Sequence, residues 1–306
     1  MGSAPVMDGR AWVMLIALSL CWGCSFLFNA LGLQGFPPPT LVFLRLLVAA
    51  LAMWAVVALL RLPVPRGARI WWLLIGMALL NNVVPFSLIV WGQTRIDSGL
   101  ASILNASTPL WTVIVAHLTT TNEKLTVNRL LGSVVGIAGV AVMLGAGGVD
   151  FSGDGMVWGE LAVLGGALSY AFSTIVARRM AGTGAPLALA SGQVAIAAVM
   201  MLPAALVLDR PWTLPAPGSD ALLAVLGIGL ISTAFAYWLY FMIMQRAGAT
   251  NVVLVTLLIP VTALLLGSLI LGEALEPRQL LGMALIGCGL IAIDGRLMRH
   301  LRVRAG

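Results

Sequence analysis

Long apolar runs and short polar connections alternate along the whole chain. The runs occupy roughly 12–32, 40–60, 70–91, 98–118, 127–146, 156–177, 187–207, 221–243, 250–271 and 278–295. A helix of about 20 residues crosses ~30 Å of hydrocarbon, so each run is long enough to span a bilayer. Lipid offers the backbone no hydrogen bonds, and a helix satisfies its own N–H and C=O groups within the segment. The pattern therefore predicts an all-α polytopic membrane protein with ten transmembrane helices. The connections leave no room for a soluble domain.

The pattern also repeats. Ile75-Gly76-Met77-Ala78-Leu79 answers Leu226-Gly227-Ile228-Gly229-Leu230, Arg95 answers Arg246 and Pro109 answers Pro260, at an offset of 151. Glu123 answers Glu273 at 150, and Trp22/Tyr170, Pro38/Pro186 and Arg45/Gln193 pair at 148. Such self-similarity predicts two five-helix units, residues 10–147 and 155–296, around a glycine-rich linker at 145–154. Lys and Arg fix the orientation, because cytoplasmic loops carry the excess. With the N-terminus inside, the inner segments hold thirteen basic residues and the outer segments three, Arg95, Arg210 and Arg278. Both termini are thus expected in the cytoplasm. Five is odd, so the second unit enters from the opposite side, and inverted repeats of this kind can open one central site to either face in turn.

Composition narrows the class. Of 306 residues 60% are hydrophobic and 9% charged, with mean hydropathy +1.04, which no water-facing surface of this size tolerates. The net charge of +6 comes from arginines at helix ends, so it sets orientation and does not point to nucleic acid. Cys21, Cys24 and Cys288 lie in apolar runs and read as small packing residues. Asp8 and Arg10 ahead of a full-length span do not resemble a cleaved signal peptide. Trp12, Trp71, Trp72, Trp91 and Trp158 sit near span ends, as interfacial aromatics do. The two histidines, His117 and His300, form no metal-ligand cluster, and no paired acids, nucleophile triad or phosphate cradle is evident. An enzyme is therefore disfavoured, and no cofactor or metal is expected.

Polar groups in mid-span are costly and so informative. Asn81 and Asn82 precede Pro85, which removes a donor and loosens the helix near them. They suit either a small polar solute or interhelical bonding around a kink. Asn105 and Thr108 stand beside Pro109, and Thr256 lies four residues before Pro260, matching the paired interrupted helices that mark transporter sites. Trp22, Tyr170 and Tyr237 are deep aromatics that either pack or stack on a substrate. Arg45, about a turn inside the outer face, either snorkels outward, pairs with a carboxylate or gates the mouth. Glu160 is the one acid clearly within a span, which makes the signal for proton coupling weak.

Cys21-Trp22-Gly23, Phe43-Leu44-Arg45-Leu46-Leu47, the prolines of the fourth and ninth spans, and Leu271-Gly272-Glu273 with Gln279-Leu280-Leu281-Gly282 together resemble two tandem EamA domains. The chain looks like the drug/metabolite transporter superfamily, and most like its YddG-type amino-acid exporters. The resemblance implies a central, largely hydrophobic cavity lined here by Trp22, Asn82, Thr108, Tyr170, Tyr237, Thr256 and Pro260. It implies export of aromatic or neutral amino acids, or related small metabolites, from the bacterial inner membrane. Efflux of lipophilic cations is the alternative. Asn82 and Thr108 stand where relatives can place bulky aromatics, so a roomier cavity is expected. The Glu123-Lys124-Leu125 and Glu273-Ala274-Leu275 turns read as helix-end structure.

Overall fold

The computed structural model describes residues 8–119, 127–144, 155–180, 182–247, 252, 255–274 and 276–294. The turn at Glu123-Lys124-Leu125, the linker 145–154 and the arginines of 296–304 lie outside the described residues, which contain helices and no strand. The helices are α1 (Gly9–Gly32), α2 (Pro38–Leu59), α3 (Ala68–Gly92), α4 (Ser98–Thr119), α5 (Val127–Leu144), α6 (Met156–Met180), α7 (Pro186–Asp209), α8 (Ser219–Arg246), α9 (255–271) and α10 (Pro277–Asp294). Among the described residues, seven of them, α1–α4 and α6–α8, are long and apolar enough to cross a membrane, and 130–142 and 258–271 are shorter apolar stretches.

Local chemistry sets the starts. Asp8 caps α1 by accepting the Ala11 N–H at 2.8 Å, and α2 and α7 open on Pro38 and Pro186, where a missing N–H costs nothing. Val13, Ile16 and Leu20 form an exposed apolar stripe on α1 while Leu15 and Leu18 are buried, the all-round apolar pattern of a lipid-facing helix.

In the bundle α2 packs on α7, α1 on α8 and α9, and α6 on α3 and α4, while α5 pairs with α10 at the edge. The Thr40 N–H and hydroxyl both donate to Asp209 at 2.8 and 2.7 Å, which sets the start of α2 beside the end of α7 and makes the two antiparallel. Glycines let α5 and α10 meet: a Cβ on Gly139 would lie 2.7 Å from the Gly282 carbonyl oxygen, and one on Gly289 2.5 Å from that of Gly132. This small-residue contact lies within one chain.

The helices are interrupted at chosen places. A wide π turn spans Leu79–Val83 in α3, just before Pro85, and another spans Leu230–Phe235 in α8 at the same offset of 151. Position 236 in α8 is alanine, so proline alone does not cause the bulge. In α4 the helix opens at Ala106-Ser107, while α9 runs helical through Pro260. Among the described residues the interruption expected from the two prolines is found in α4.

Candidate functional site

Mid-span side chains of α1, α2, α3, α6, α7 and α8 converge in the bundle. The π turn of α3 rotates Asn81 and Asn82 toward α7 and α8. The Tyr237 hydroxyl accepts from Asn81 Nδ2 at 2.9 Å, Gln193 Nε2 at 3.3 Å and Asn82 Nδ2 at 3.4 Å, and Gln193 Nε2 also donates to Asn82 Oδ1 at 2.5 Å. From α6 the Ser173 hydroxyl lies 3.1 Å from Asn81 Oδ1, and Ser169 donates to the Leu80 carbonyl at 2.8 Å, satisfying an acceptor in the disturbed turn. Asn82 is fully buried and engaged at both ends of its amide, so it holds Tyr237 and Gln193 in place. Asn81, one residue earlier, is the accessible amide.

Arg45 stands on the other side of this network. It is 6% exposed, its Nε donates to Thr233 Oγ1 at 3.0 Å, and its guanidinium lies 3.6 Å from the centre of the Phe86 ring. Thr233 in turn donates to the Ile228 carbonyl at 2.8 Å, inside the π turn of α8. Snorkelling to the outer face is excluded, since the side chain points into the bundle. Arg45–Thr233 and Gln193–Asn82 are the same contact made twice, because residues 45 and 193, and 82 and 233, are repeat partners.

Aromatic surface completes the site. Trp22 packs on Tyr240 with ring centres 5.9 Å apart, and Tyr240 meets Phe241 edge-on at 5.3 Å, beside Tyr237. Tyr170 packs against both the core around α1, α4 and α9 and the core around α2, α3 and α7. Trp22, Asn81, Tyr170, Tyr237 and Tyr240 face other helices, yet each is only half-buried. Several groups here find no partner among the described residues: both terminal nitrogens of Arg45, the Tyr170 hydroxyl and the Trp22 indole N–H. Polar groups inside an apolar bundle are normally paired, so this open cluster is the candidate site.

The remaining predicted residues have different roles. Asn105 ends the first half of α4, and its buried Oδ1 has no donor. The Thr108 hydroxyl donates to the Asn105 carbonyl at 2.7 Å, closing the break. Pro85 is buried at the start of the helix that follows the α3 π turn, and Pro260 is buried within α9, where Thr256 is half-buried. Gln193 and Tyr240 join the candidate site although the sequence pattern did not single them out, while Asn81 and Arg45, polar candidates there, had no place assigned in its lining. The Arg45/Gln193 pairing was the available signal.

At one end of the bundle a cavity of about 640 Å³ is lined by Phe36, Gln93, Asp97, Ser98, Leu214 and Glu273, among others. Gly272, at φ +71°, ends α9 and turns Glu273 back over the start of α4, a backbone angle glycine adopts without strain. There its carboxylate accepts from the Ser98 N–H at 2.8 Å, the Gly99 N–H at 2.9 Å and the Ser98 hydroxyl at 2.9 Å. Burial, with Glu273 and Glu276 nearby, raises the Asp97 carboxyl above its ordinary value. At the opposite end Asp8 meets Arg246, with Nη2 to Oδ2 at 2.5 Å.

The sequence profile of the EamA-like transporter family matches residues 10–145 and again 157–293. The chain belongs to the EamA-like transporter family. Full-length relatives agree. The uncharacterized transporter YoaV of Bacillus subtilis (strain 168) is 25% identical over 280 residues, covering 90% of this chain and 94% of its own. The uncharacterized inner membrane transporter YedA of Escherichia coli (strain K12) is 27% identical over 277 residues, 89% of this chain and 86% of its own. Protein PagO of Salmonella typhimurium is 25% identical over 272 residues, 88% of each chain. A solved crystal structure of 22% identity superposes with a TM-score of 0.64 over 93% of this chain and 98% of its own, which shows a shared fold. Membership in the family and the apolar helices make this a membrane transporter of small molecules.

Proposed function

We propose that this EamA protein exports aromatic or neutral amino acids, or closely related small metabolites, by alternating access through the space between Trp22, Asn81, Tyr170, Tyr237 and Arg45. The observation that carries the reading is the set of unpartnered polar groups beside aromatic faces, midway across an otherwise apolar bundle. Aromatic faces take an apolar side chain, and open donors take the polar head of the solute.

Ten helices in two oppositely inserted five-helix units would give such a site its two openings. The repeated contact, Arg45–Thr233 between α2 and α8 and Gln193–Asn82 between α7 and α3, supports that relation together with the antiparallel packing of α2 and α7. Asp8–Arg246 gathers the ends assigned to the cytoplasm, and Thr40–Asp209 and Ser98–Glu273 gather the ends assigned to the outside of the bacterial inner membrane. Trp12, Trp72 and Trp158 are exposed at helix ends, as residues at a lipid headgroup belt are.

Proton-coupled efflux of lipophilic cations is the second reading. Glu160, 2% exposed on α6, favours it as a buried carboxyl. The buried cation Arg45 weighs against it, since like charges repel at the site. Proteoliposomes loaded with unlabelled solute and tested for uptake of labelled amino acids or organic cations separate the two. Saturable exchange of neutral or aromatic amino acids supports the exporter. Movement of cations alone, driven by a proton gradient, supports the second reading.

A further inference from the structure

We infer that Arg45 is the docking point for a carboxylate on the transported solute, so that the site accepts small zwitterions or monocarboxylates and rejects the matching amines. This rests on the transporter reading above and adds the chemical class of its substrate.

A guanidinium in the middle of an apolar bundle is expensive unless something negative meets it. Among the described residues nothing negative does: Arg45 bonds the Thr233 hydroxyl and lies over the Phe86 ring, with no carboxylate in contact. Thr233 occupies Nε and Phe86 covers one face of the plane, which fixes its orientation while the two terminal nitrogens stay open. Two parallel N–H donors in a fixed plane match the two oxygens of a carboxylate.

The second half of the chain supplies an internal control. At the equivalent place Gln193 makes the equivalent contact with a neutral amide, its Nε2 donating to both Asn82 and Tyr237. Holding α2 to α8 therefore does not need a charge, and the glutamine shows what a structural residue there looks like. The pseudo-symmetry is broken at this position by one positive charge whose terminal nitrogens have no partner among the described residues. The aromatic faces of Trp22 and Tyr240, paired at 5.9 Å in the same bundle, suit the apolar portion of a solute with one acidic head. A lipophilic amine would bring its own positive charge to the guanidinium and gain nothing from it.

The test compares wild type with Arg45→Gln and Arg45→Lys in proteoliposomes and in detergent. The probes are phenylalanine, its amide, 3-phenylpropionate and phenethylamine. Each is read by exchange and by the shift it causes in the melting temperature of the purified protein. Wild type is expected to bind and exchange phenylalanine and phenylpropionate but not the amide or amine. Arg45→Gln, which copies Gln193, should melt within a few degrees of wild type. It should weaken the carboxylates by about tenfold or more, the loss of a hydrogen bond to a charged group, and narrow the gap between phenylalanine and its amide. Arg45→Lys should fall between, keeping charge without the fork. Equal exchange of phenylalanine by wild type and Arg45→Gln would overturn the inference and leave the exporter standing. Carboxylate binding lost in Arg45→Gln, with no exchange by wild type, would uphold the inference and overturn the exporter. Selective binding or exchange of the amine, or no response to any probe, would overturn the inference.

Discussion

Removing the Glu273 side chain as Glu273→Ala should loosen the Ser98 end of α4 from the α9–α10 turn. Three bonds are lost, to the Ser98 N–H, the Gly99 N–H and the Ser98 hydroxyl, all at 2.8–2.9 Å. A hydrogen bond to a charged group contributes about 1.5–3 kcal/mol and an N-cap about 0.5–2 kcal/mol. Simple summation overshoots, because the neighbouring cavity of about 640 Å³ lets water reach the freed N–H groups. The expected net loss is about 2 kcal/mol, roughly 3 °C in apparent Tm for a chain of this size at about 2.1 cal/mol/K per residue. Thermal unfolding in detergent, scanned at one fixed rate because such unfolding is often irreversible, measures it. Gly267→Ala supplies the control, since its Cβ would collide with the Glu273 carboxylate. On the Glu273→Ala background that collision is gone, so the two substitutions should be clearly less than additive. A Tm unchanged by Glu273→Ala, or full additivity with Gly267→Ala, would refute the latch.

Three further outcomes follow from other contacts. Tyr237→Phe deletes the common acceptor of Asn81, Asn82 and Gln193; exchange should fall by about tenfold, the scale of ~1–2 kcal/mol for donors left unpaired, with folded protein retained by size-exclusion profile. Gly289→Ala places a Cβ 2.5 Å from the Gly132 carbonyl, so α5 and α10 must separate; a stability loss of about 1–3 kcal/mol is expected in thermal scans. The Arg246 bond holds the Asp8 carboxyl down from 3.8 to about 2. A lowered carboxyl stabilises the folded state above pH 3.8 and loses that effect as pH falls toward 2. Hydrogen exchange at the start of α1 should rise in that window, and Asp8→Asn should show the raised exchange at pH 6 already.

How far the sequence carried can be seen residue by residue. Helix positions and the repeat were legible because apolar runs and offsets of 148–151 are properties of the string itself. Facing was not. Asn81 and Asn82 differ by about 100° on an ideal helix, and a π turn alters which of them meets Gln193, so the sequence chose the buried amide over the accessible one. Arg45 was readable as a repeat partner of Gln193, but its long stem can reach lipid headgroups or the core, and only packing against Phe86 and Thr233 decides. Glu273 read as a helix-end residue because its partners, Ser98 and Gly99, lie 175 and 174 positions away. Pro109 and Pro260 look equivalent on paper; Ser107 and Thr108 close the opened turn of α4 with their hydroxyls, at 2.6 and 2.7 Å, whereas α9 stays helical around its proline.

Side-specific labelling of the central space tests the account most directly. A single cysteine at Asn81, with Cys21, Cys24 and Cys288 replaced by alanine, would be exposed in oriented vesicles to a membrane-impermeant thiol reagent from either side. The account predicts reaction from both faces, slowed on both by bound substrate. A cysteine that reacts from one face only under every condition, or from neither, would contradict alternating access at this site.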